Sequence, residues 1–203
     1  MIDASLKNVS TPLKLILFFD TETTGLPKNY NAPISDLANW PRLIQIAWAT
    51  YNMDGTELGA KEYLIRPDGF QIPTLATQIH GITTKFAQEE GIELKDALNK
   101  FSEAVLSAQI LAGHNIAFDE NIIGAEYLRC SMENVIPPKH RICTMMSSIN
   151  YCKLPGKYGY KRPKLEELYR ILFHADLQAS HNALADVRAT ALCFFQLKKL
   201  GVI

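Results

Sequence analysis

The sequence predicts one α/β domain built on a mixed β-sheet with helices on both faces. Three strand-like segments between residues 15 and 66 follow one another with short turns, which indicates an antiparallel meander. The rest of the chain alternates helical patterns with short apolar segments, which favours parallel strands joined by helices. With 203 residues, 47% of them hydrophobic, the chain suits a single core. We therefore expect one domain over residues 1–203, with its core at about 13–200.

The first half of the chain holds the meander and three helices. An apolar run at 15–19 followed by two acids predicts a buried strand whose end carries those acids, and 43–51 predicts a second strand. Asp54-Gly55 is a hairpin turn signal that leads to a third strand at about 60–66. Short helices are predicted at 73–79 and 83–89, and apolar residues at helical spacing predict a longer helix at 94–107.

The second half alternates strands and helices. A short buried strand is predicted at 109–113, followed by a helix that ends near Arg129. Ile142 lies in a further strand after the break at Pro137-Pro138. Pro163 suits the first turn of a helix. The last helix is expected from about residue 182 to 200, with Ser180 or Asn182 as its cap.

Several classes of protein are disfavoured by composition. The first residues lack the order of a signal peptide, and no apolar run approaches the roughly 20 residues of a membrane span, so we expect a soluble, cytoplasmic protein without a membrane partner. The four cysteines are scattered and form no Cys-x-x-Cys pair, which argues against a zinc ribbon or a disulfide framework.

Positive charge is concentrated in one part of a chain whose formal net charge is zero. Residues 134–165 contain no Asp or Glu but seven Lys and Arg, five of them in residues 153–164, which we call the basic segment. Such a segment attracts phosphates if it lies near a site, and it is an ordinary solvated loop if it does not. The sequence alone leaves both interpretations open.

Three acid-bearing segments carry the candidate chemistry. Asp20 and Glu22 are two residues apart at the end of the first strand and so share one face, Asp119 lies at the start of a helix after a strand, and Asp186 lies in the last helix. Strand ends and helix starts form the crevice of an open α/β sheet, where these acids can converge. Carboxylates brought together resist ionisation unless cations neutralise them, and oxygen ligands favour Mg²⁺ or Mn²⁺. The alternative is that Asp20 and Glu22 only end a strand at the surface.

His181 precedes Asp186 by five residues, which on a regular helix places the two side chains about 140° apart. A histidine on the loop before the helix could instead fold back over the acids and serve as a general base. A surface histidine is the alternative.

Three motifs together resemble the DnaQ-like 3′–5′ exonucleases of the DEDD superfamily, in the subclass that is distinguished by a histidine. They are Phe19-Asp20-Thr-Glu22-Thr-Thr-Gly25, Gly113-His-Asn-Ile-Ala-Phe-Asp119 and His181-Asn-Ala-Leu-Ala-Asp186. The match in order and spacing covers residue 15 to about 197. It implies a ribonuclease-H-like sheet, three antiparallel strands followed by parallel ones, and a chain that is a single exonuclease domain. Many relatives have alanine where this chain has Ile116, a difference that concerns packing.

The resemblance also implies residue roles. Asp20, Glu22, Asp119 and Asp186 would bind two divalent cations, Mg²⁺ with Mn²⁺ as a substitute, and His181 would be the base. Thr23, Thr24 and Leu26 match positions that contact the terminal nucleotide. Lys157, Lys161 and Arg162 of the basic segment would guide the strand by charge, with tyrosines nearby for stacking. His80 lies in a segment that the family places beside the cleft, and it receives no firm role.

The resemblance implies removal of nucleoside monophosphates from the 3′ end of a nucleic acid, with single-stranded DNA preferred and proofreading one context. RNA is an alternative substrate, because its phosphates offer the same chemistry. A nuclease-like module that docks on a polymerase is the non-enzyme alternative, although such modules usually lose ligands and none is missing here. A phosphatase using the first acid as nucleophile would leave Asp119, His181 and Asp186 without a role.

Overall fold

The computed structural model describes residues 14–177 and 182–203, and it has a five-stranded mixed sheet with the strand order β3-β2-β1-β4-β5. β1 is antiparallel to β2, β2 is antiparallel to β3, and β4 and β5 run parallel to β1. The predicted meander followed by parallel strands is therefore confirmed. The strands of this sheet are β1 (Leu15–Thr23), β2 (Leu43–Asn52), β3 (Glu57–Leu64), β4 (Ile110–Gly113) and β5 (His140–Cys143).

Helices cover both faces of the sheet, and a two-stranded hairpin lies apart from it. The helices are α1 (Thr74–His80), α2 (Thr84–Glu90), α3 (Leu94–Ser107), α4 (Ile116–Arg129), α5 (Thr144–Ser147), α6 (Ile149–Cys152), α7 (Leu165–Phe173) and α8 (Ala183–Lys199). The hairpin consists of β6 (Pro155–Gly156) and β7 (Gly159–Tyr160). None of the helices described is long and apolar enough to cross a membrane.

β1 is apolar at consecutive positions because both of its faces are buried. Leu17 and Phe19 pack on the side of α3 and α4, whereas Ile16 and Phe18 pack against α8. Phe18 contacts Phe194 edge to face, with ring centroids 5.2 Å apart. This alternation fixes which way each later side chain of the strand points.

The two acids lie at the end of β1 as predicted, whereas the boundaries of β3 differ from the prediction. β1 runs to Thr23, because the β-branched residues Thr21 and Thr23 extend the pairing with β2 as far as Leu43. β3 begins at Glu57, three residues earlier than predicted, because Asn52 N donates to Thr56 O at 3.1 Å and closes a tight turn just before it. The strand ends at Leu64.

The region around the basic segment differs most from the prediction. The helices α5 and α6 and the β6–β7 hairpin, all of them short, were not predicted from the sequence. Pro163 does not lie in the first turn of a helix: α7 starts at Leu165 with Lys164 as its cap, because Glu167 accepts a hydrogen bond from Lys164 N at 2.9 Å. Pro163 instead offers its carbonyl oxygen to His114.

Candidate metal centre and nucleic-acid site

Asp20 and Glu22 continue the face of β1 that packs on α8. Their positions share the alternation of Ile16 and Phe18, and Asp186 lies in the first turn of α8. The carboxylates of Asp20, Glu22 and Asp186 each offer one oxygen, and these oxygens lie within 4.8 Å of one another. We call these three side chains the acid cluster. Since all of its donors are carboxylate oxygens, it could hold a hard divalent cation such as Mg²⁺ or Mn²⁺.

Asp119 reaches β1 from the other side, from the first turn of α4. Its Oδ1 accepts hydrogen bonds from Thr21 N at 3.0 Å and from Thr21 Oγ1 at 2.6 Å, and the residue is 3% exposed. α4 can start here because Asn115 adopts a left-handed φ of 66° and because Gly113 has no side chain; a Cβ at Gly113 would lie 3.1 Å from Ile116 Cβ. Asp119 is therefore next to the acid cluster but outside the group of three oxygens.

The electrostatics of the site resist ionisation of its acids. Burial, together with the charges of Asp119, Asp186 and Glu22, raises the pKa of Asp20 well above its ordinary value. Burial and the charge of Asp186 raise the pKa of Glu22 to about 7. Burial also raises the pKa of Asp119 to about 7, with a smaller contribution from the charge of Glu22, although the hydrogen bonds from Thr21 oppose the change. A bound cation would favour the ionised forms of all of these groups.

His181 lies outside the described residues, so its predicted role as a base stays a prediction. The neighbouring Asn182 is described, and it caps α8: its side chain accepts a hydrogen bond from Ala185 N at 3.0 Å. The prediction that Ser180 or Asn182 caps this helix is confirmed for Asn182. Glu62 of β3 accepts hydrogen bonds from Asn182 Nδ2 at 3.5 Å and from Leu184 N at 3.4 Å, which ties the first turn of α8, and with it Asp186, to the sheet.

A cleft of about 540 Å³ opens beside the acid cluster, on the side of the sheet that is bounded by the edge strand β3. Gln45, which pairs with Glu22 across β1 and β2, lines it together with Asn182. His80 and Phe86 also line the cleft, and His80 Nδ1 accepts a hydrogen bond from Ile82 N at 3.0 Å. This volume lies within the range of small-molecule sites and admits a nucleoside.

The three residues predicted to contact the terminal nucleotide, Thr23, Thr24 and Leu26, differ in their exposure to solvent and in their hydrogen bonds. Thr23 is buried on the α3 and α4 side, and its hydroxyl donates to Gly25 O at 2.6 Å. Thr24 Oγ1 accepts a hydrogen bond from Arg42 N at 2.9 Å. Leu26 is 72% exposed. Of these three side chains, Leu26 is the one that presents apolar surface to solvent.

The basic segment forms a small arm that ends at the β6–β7 hairpin. Lys157 and Tyr158 occupy the tip, with Lys157 Nζ 5.1 Å from the centre of the Tyr158 ring, and Tyr158 is 90% exposed. Arg162 is exposed, whereas Lys161 forms an ion pair with Glu167. Arg162 and Lys157 therefore carry more free charge than Lys161, which the sequence analysis could not distinguish.

His114 of the second motif connects this arm to the end of β4. Its two ring nitrogens lie 3.0 Å from Thr144 Oγ1 and 3.0 Å from Pro163 O. Burial lowers the pKa of His114 to about 4, so the ring is neutral at physiological pH. A neutral imidazole can donate one hydrogen bond and accept the other. No role was predicted for His114 from the sequence, because the spacing of the motif carries no signal for this contact.

The chain belongs to the Exonuclease family, whose sequence profile (RNase_T) matches residues 17–194. The resemblance to DnaQ-like 3′–5′ exonucleases drawn from the three motifs is thereby confirmed. The chain is 26% identical over 183 residues to DNA polymerase III PolC-type of Latilactobacillus sakei, a match that covers 90% of this chain and 11% of that protein. It is 30% identical over 115 residues to the protein of the same description in Mycoplasmopsis pulmonis, covering 57% of this chain and 7% of that one.

Solved structures with the same fold include E. coli Exonuclease I in complex with a dA16 oligonucleotide. That structure has a TM-score of 0.72 at 20% identity and covers 92% of this chain and 41% of the E. coli chain. Exonuclease I from Methylocaldum szegediense gives a TM-score of 0.69 at 21% identity, covering 92% and 40% of the two chains. These likenesses confirm the predicted ribonuclease-H-like fold. The chain spans about a tenth of the length of the PolC-type relatives.

Proposed function

We propose that this chain is a metal-dependent 3′–5′ exonuclease that releases nucleoside monophosphates from the 3′ end of single-stranded DNA. The observation that carries the proposal is the acid cluster, three carboxylates with ligand oxygens within 4.8 Å of one another and a buried Asp119 alongside. Acids packed in this way need a cation partner to be ionised at neutral pH. Membership of the Exonuclease family supports the reaction class.

We assign Asp20, Glu22, Asp119 and Asp186 as the ligands of two Mg²⁺ ions, for which Mn²⁺ can substitute. When bound, such cations supply a Lewis acid that stabilises charge on a phosphodiester undergoing hydrolysis. Thr21 holds Asp119 in place through its amide and its hydroxyl. His181 accepts a proton from the attacking water, an assignment that rests on its place in the third motif. Hydrolysis breaks the P–O3′ bond and leaves a 3′ hydroxyl on the shortened strand.

The terminal nucleoside fits the cleft beside Gln45 and Asn182 in this proposal. The cleft adjoins Glu22 through the pairing of β1 with β2, and Phe86 and His80 provide aromatic surface for a base. Thr23 and Thr24 support the loop that carries Leu26, the exposed apolar contact. The strand beyond the terminal nucleotide passes the basic segment, where Lys157 and Arg162 attract phosphates and Tyr158 offers a stacking surface.

Single-stranded DNA is supported as the substrate by a similar protein, because the structure of E. coli Exonuclease I was determined in complex with a dA16 oligonucleotide. The PolC-type relatives are described as DNA polymerase III, which favours proofreading with a polymerase as partner. All four carboxylates expected of the enzyme are present, and a module that only docks on a polymerase does not need them, so the enzyme is preferred over the binding module.

The test is digestion of oligonucleotides labelled at the 5′ end, with Mg²⁺ and with excess chelator. Single-stranded DNA, RNA of the same sequence and duplex DNA are compared, each with a free 3′ end and with a bulky 3′ block. We expect a ladder from free single-stranded DNA with Mg²⁺ that the block and the chelator abolish. A ladder on RNA alone would reassign the substrate. Undiminished digestion of the blocked strand would refute 3′–5′ polarity, and no digestion of any substrate would favour the binding module.

A further inference from the structure

A second cleft, of about 210 Å³, lies between the start of α3 and the end of α4, on the side of the sheet that faces away from the acid cluster. Four of the side chains that line it are basic, Arg42, Arg66, Lys95 and Arg129, and two are acidic, Asp68 and Glu93. We call it the Arg42 cleft. Arg42 precedes β2, so the cleft opens at the same edge of the sheet as the acids of β1.

Arg42 is held in one position from three directions. Its backbone is tied to the first motif, because Arg42 N donates to Thr24 Oγ1 at 2.9 Å and Arg42 O accepts from Thr24 N at 3.0 Å. Its Nε donates to the fully buried Glu126 at 2.9 Å, and its guanidinium lies 4.4 Å from the centre of the Phe70 ring. A fixed guanidinium loses little entropy when it binds an anion.

The two Nη groups of Arg42 remain available for a ligand. Within residues 14–177 and 182–203 neither group forms a hydrogen bond, and the side chain is 28% exposed. Arg129 is used differently, because it donates to Glu126 and to three backbone carbonyl oxygens. The paired Nη groups of an arginine match two oxygens of a phosphate.

The charges around the cleft favour an anion. Arg66 pairs with Glu93 at 2.7 Å, and Glu126 accepts from both Arg42 and Arg129, while Lys95 has no ion pair among the described residues. Counting Glu126 with the lining side chains, four basic groups face three carboxylates. The cleft therefore carries one net positive charge even with Asp68 counted, although the chain as a whole is neutral, and Glu126 is shared by two arginines.

We propose that the Arg42 cleft binds one internal phosphodiester of the substrate strand, with Arg42 as a two-pronged ligand and Lys95 as a second cation. The inference rests on the proposed function, and it adds a contact for the strand upstream of the cut on the side of β1 opposite the acid cluster. Thr24, two residues after Glu22, links the two sites directly. A phosphate held here fixes how far the strand advances and so aligns the 3′ end.

The test uses oligonucleotides in which a single linkage is replaced by a neutral methylphosphonate, moved one position at a time from the 3′ end. For the wild-type protein we expect the KM to rise about tenfold at one internal linkage, since a charge-assisted contact is lost there. In Lys95→Glu and in Arg42→Lys that position-specific rise should disappear, and the KM for the unmodified strand should increase instead. Lys100→Glu, a charge reversal at an exposed position of the same helix, is the control and should behave as wild type.

The outcomes separate this inference from the proposed function. A ladder from the unmodified strand tests the exonuclease, whichever variant is used. If the ladder forms but Lys95→Glu keeps both the wild-type KM and the position-specific rise, the cleft does not bind the strand. If Lys95→Glu weakens only the inhibition by added nucleoside monophosphate or inorganic phosphate, the cleft holds a free anion and the assignment to the strand is wrong. Lys95 is exposed, so its variant also covers the case in which Arg42→Lys folds poorly.

Discussion

The molecule has buried or half-buried carboxylates in two places at the same end of its sheet, and their surroundings are opposite in charge. Glu126 is fully buried, and its Oε1 accepts from Arg42, Arg129 and Leu43 N at 2.9 to 3.0 Å. Asp20, Glu22 and Asp119 form no ion pair with a lysine or arginine within the described residues. Where the protein needs a buried acid for structure, it supplies its own cations. The acids without such partners therefore indicate a site for cations from solution.

The largest expected effect comes from replacing one of the acids that have no lysine or arginine partner. Asp20→Asn should keep the shape of the side chain but lower kcat by at least about 10³-fold, because a ligand for catalytic metal is lost. The fold should not suffer, since a neutral amide removes repulsion from its acidic neighbours. Rates from single-turnover digestion measure the change, with the exposed Asp96→Asn as control. Wild-type kcat in Asp20→Asn would refute its assignment as a ligand.

His181→Ala should lower kcat by about 10² to 10⁴, the usual contribution of general-base assistance, while metal binding stays intact. The rate of the wild type should also fall as the pH drops through the titration range of a histidine, which is about 6.5 when unperturbed. The pH–rate profiles of both proteins are compared with that of His140→Ala, which alters an exposed histidine. Retention of the wild-type rate and acid limb in His181→Ala would mean that another group is the base.

Replacing Glu126, the acid that is paired with arginines, should lower the stability of the fold. Glu126→Gln leaves the side chains of Arg42 and Arg129 without their carboxylate, and we expect a loss of roughly 2–3 kcal/mol in the free energy of unfolding. The loss is smaller than that for a fully buried ion pair because solvent screens the partly exposed Arg42. Urea unfolding of both proteins measures the difference. Equal stability of Glu126→Gln and wild type would show that the pairing of Glu126 with its two arginines does not stabilise the fold.

The basic segment should give the smallest effect on the rate. Replacing Lys157 and Arg162 by alanine should weaken binding and reduce the salt slope by about 0.7 for each phosphate contact to a single strand. Adding Lys161→Ala should change the slope less, because Lys161 already pairs with Glu167. Binding measured from 50 to 200 mM salt tests this, with Lys85→Ala and Lys199→Ala as the control pair. An unchanged slope would mean that the segment is an ordinary solvated loop.

The sequence predicted three antiparallel strands followed by parallel ones, and it predicted that Asp20, Glu22 and Asp186 come together, because both follow from local patterns. Apolar runs mark the strands, and the spacing of Asp20 and Glu22 places them on one face. It could not predict that Arg42 pairs with Glu126, which is 84 residues away, or that His114 contacts Pro163. Such contacts depend on how α4 crosses the sheet and on where a short arm folds back. The two-residue strands of the hairpin are too short to leave a periodic signal.

The most direct test of the central claim is thermal unfolding of the wild type and Glu22→Gln from pH 5.5 to 8, in chelator and with Mn²⁺. The folded protein holds Glu22 and Asp119 with pKa values of about 7, above the ordinary range for carboxyls, so it binds protons more tightly than the unfolded chain. In chelator the wild type should therefore lose stability as the pH rises through about 7.

Mn²⁺ should restore that loss, raising the Tm of the wild type more at pH 8 than at pH 5.5, where protons compete for the carboxylates. Glu22→Gln should show a smaller loss in chelator and a much smaller gain from Mn²⁺. The result that contradicts the account is a Glu22→Gln protein that gains as much from Mn²⁺ at pH 8 as the wild type does, because the cation would then bind somewhere other than the acid cluster.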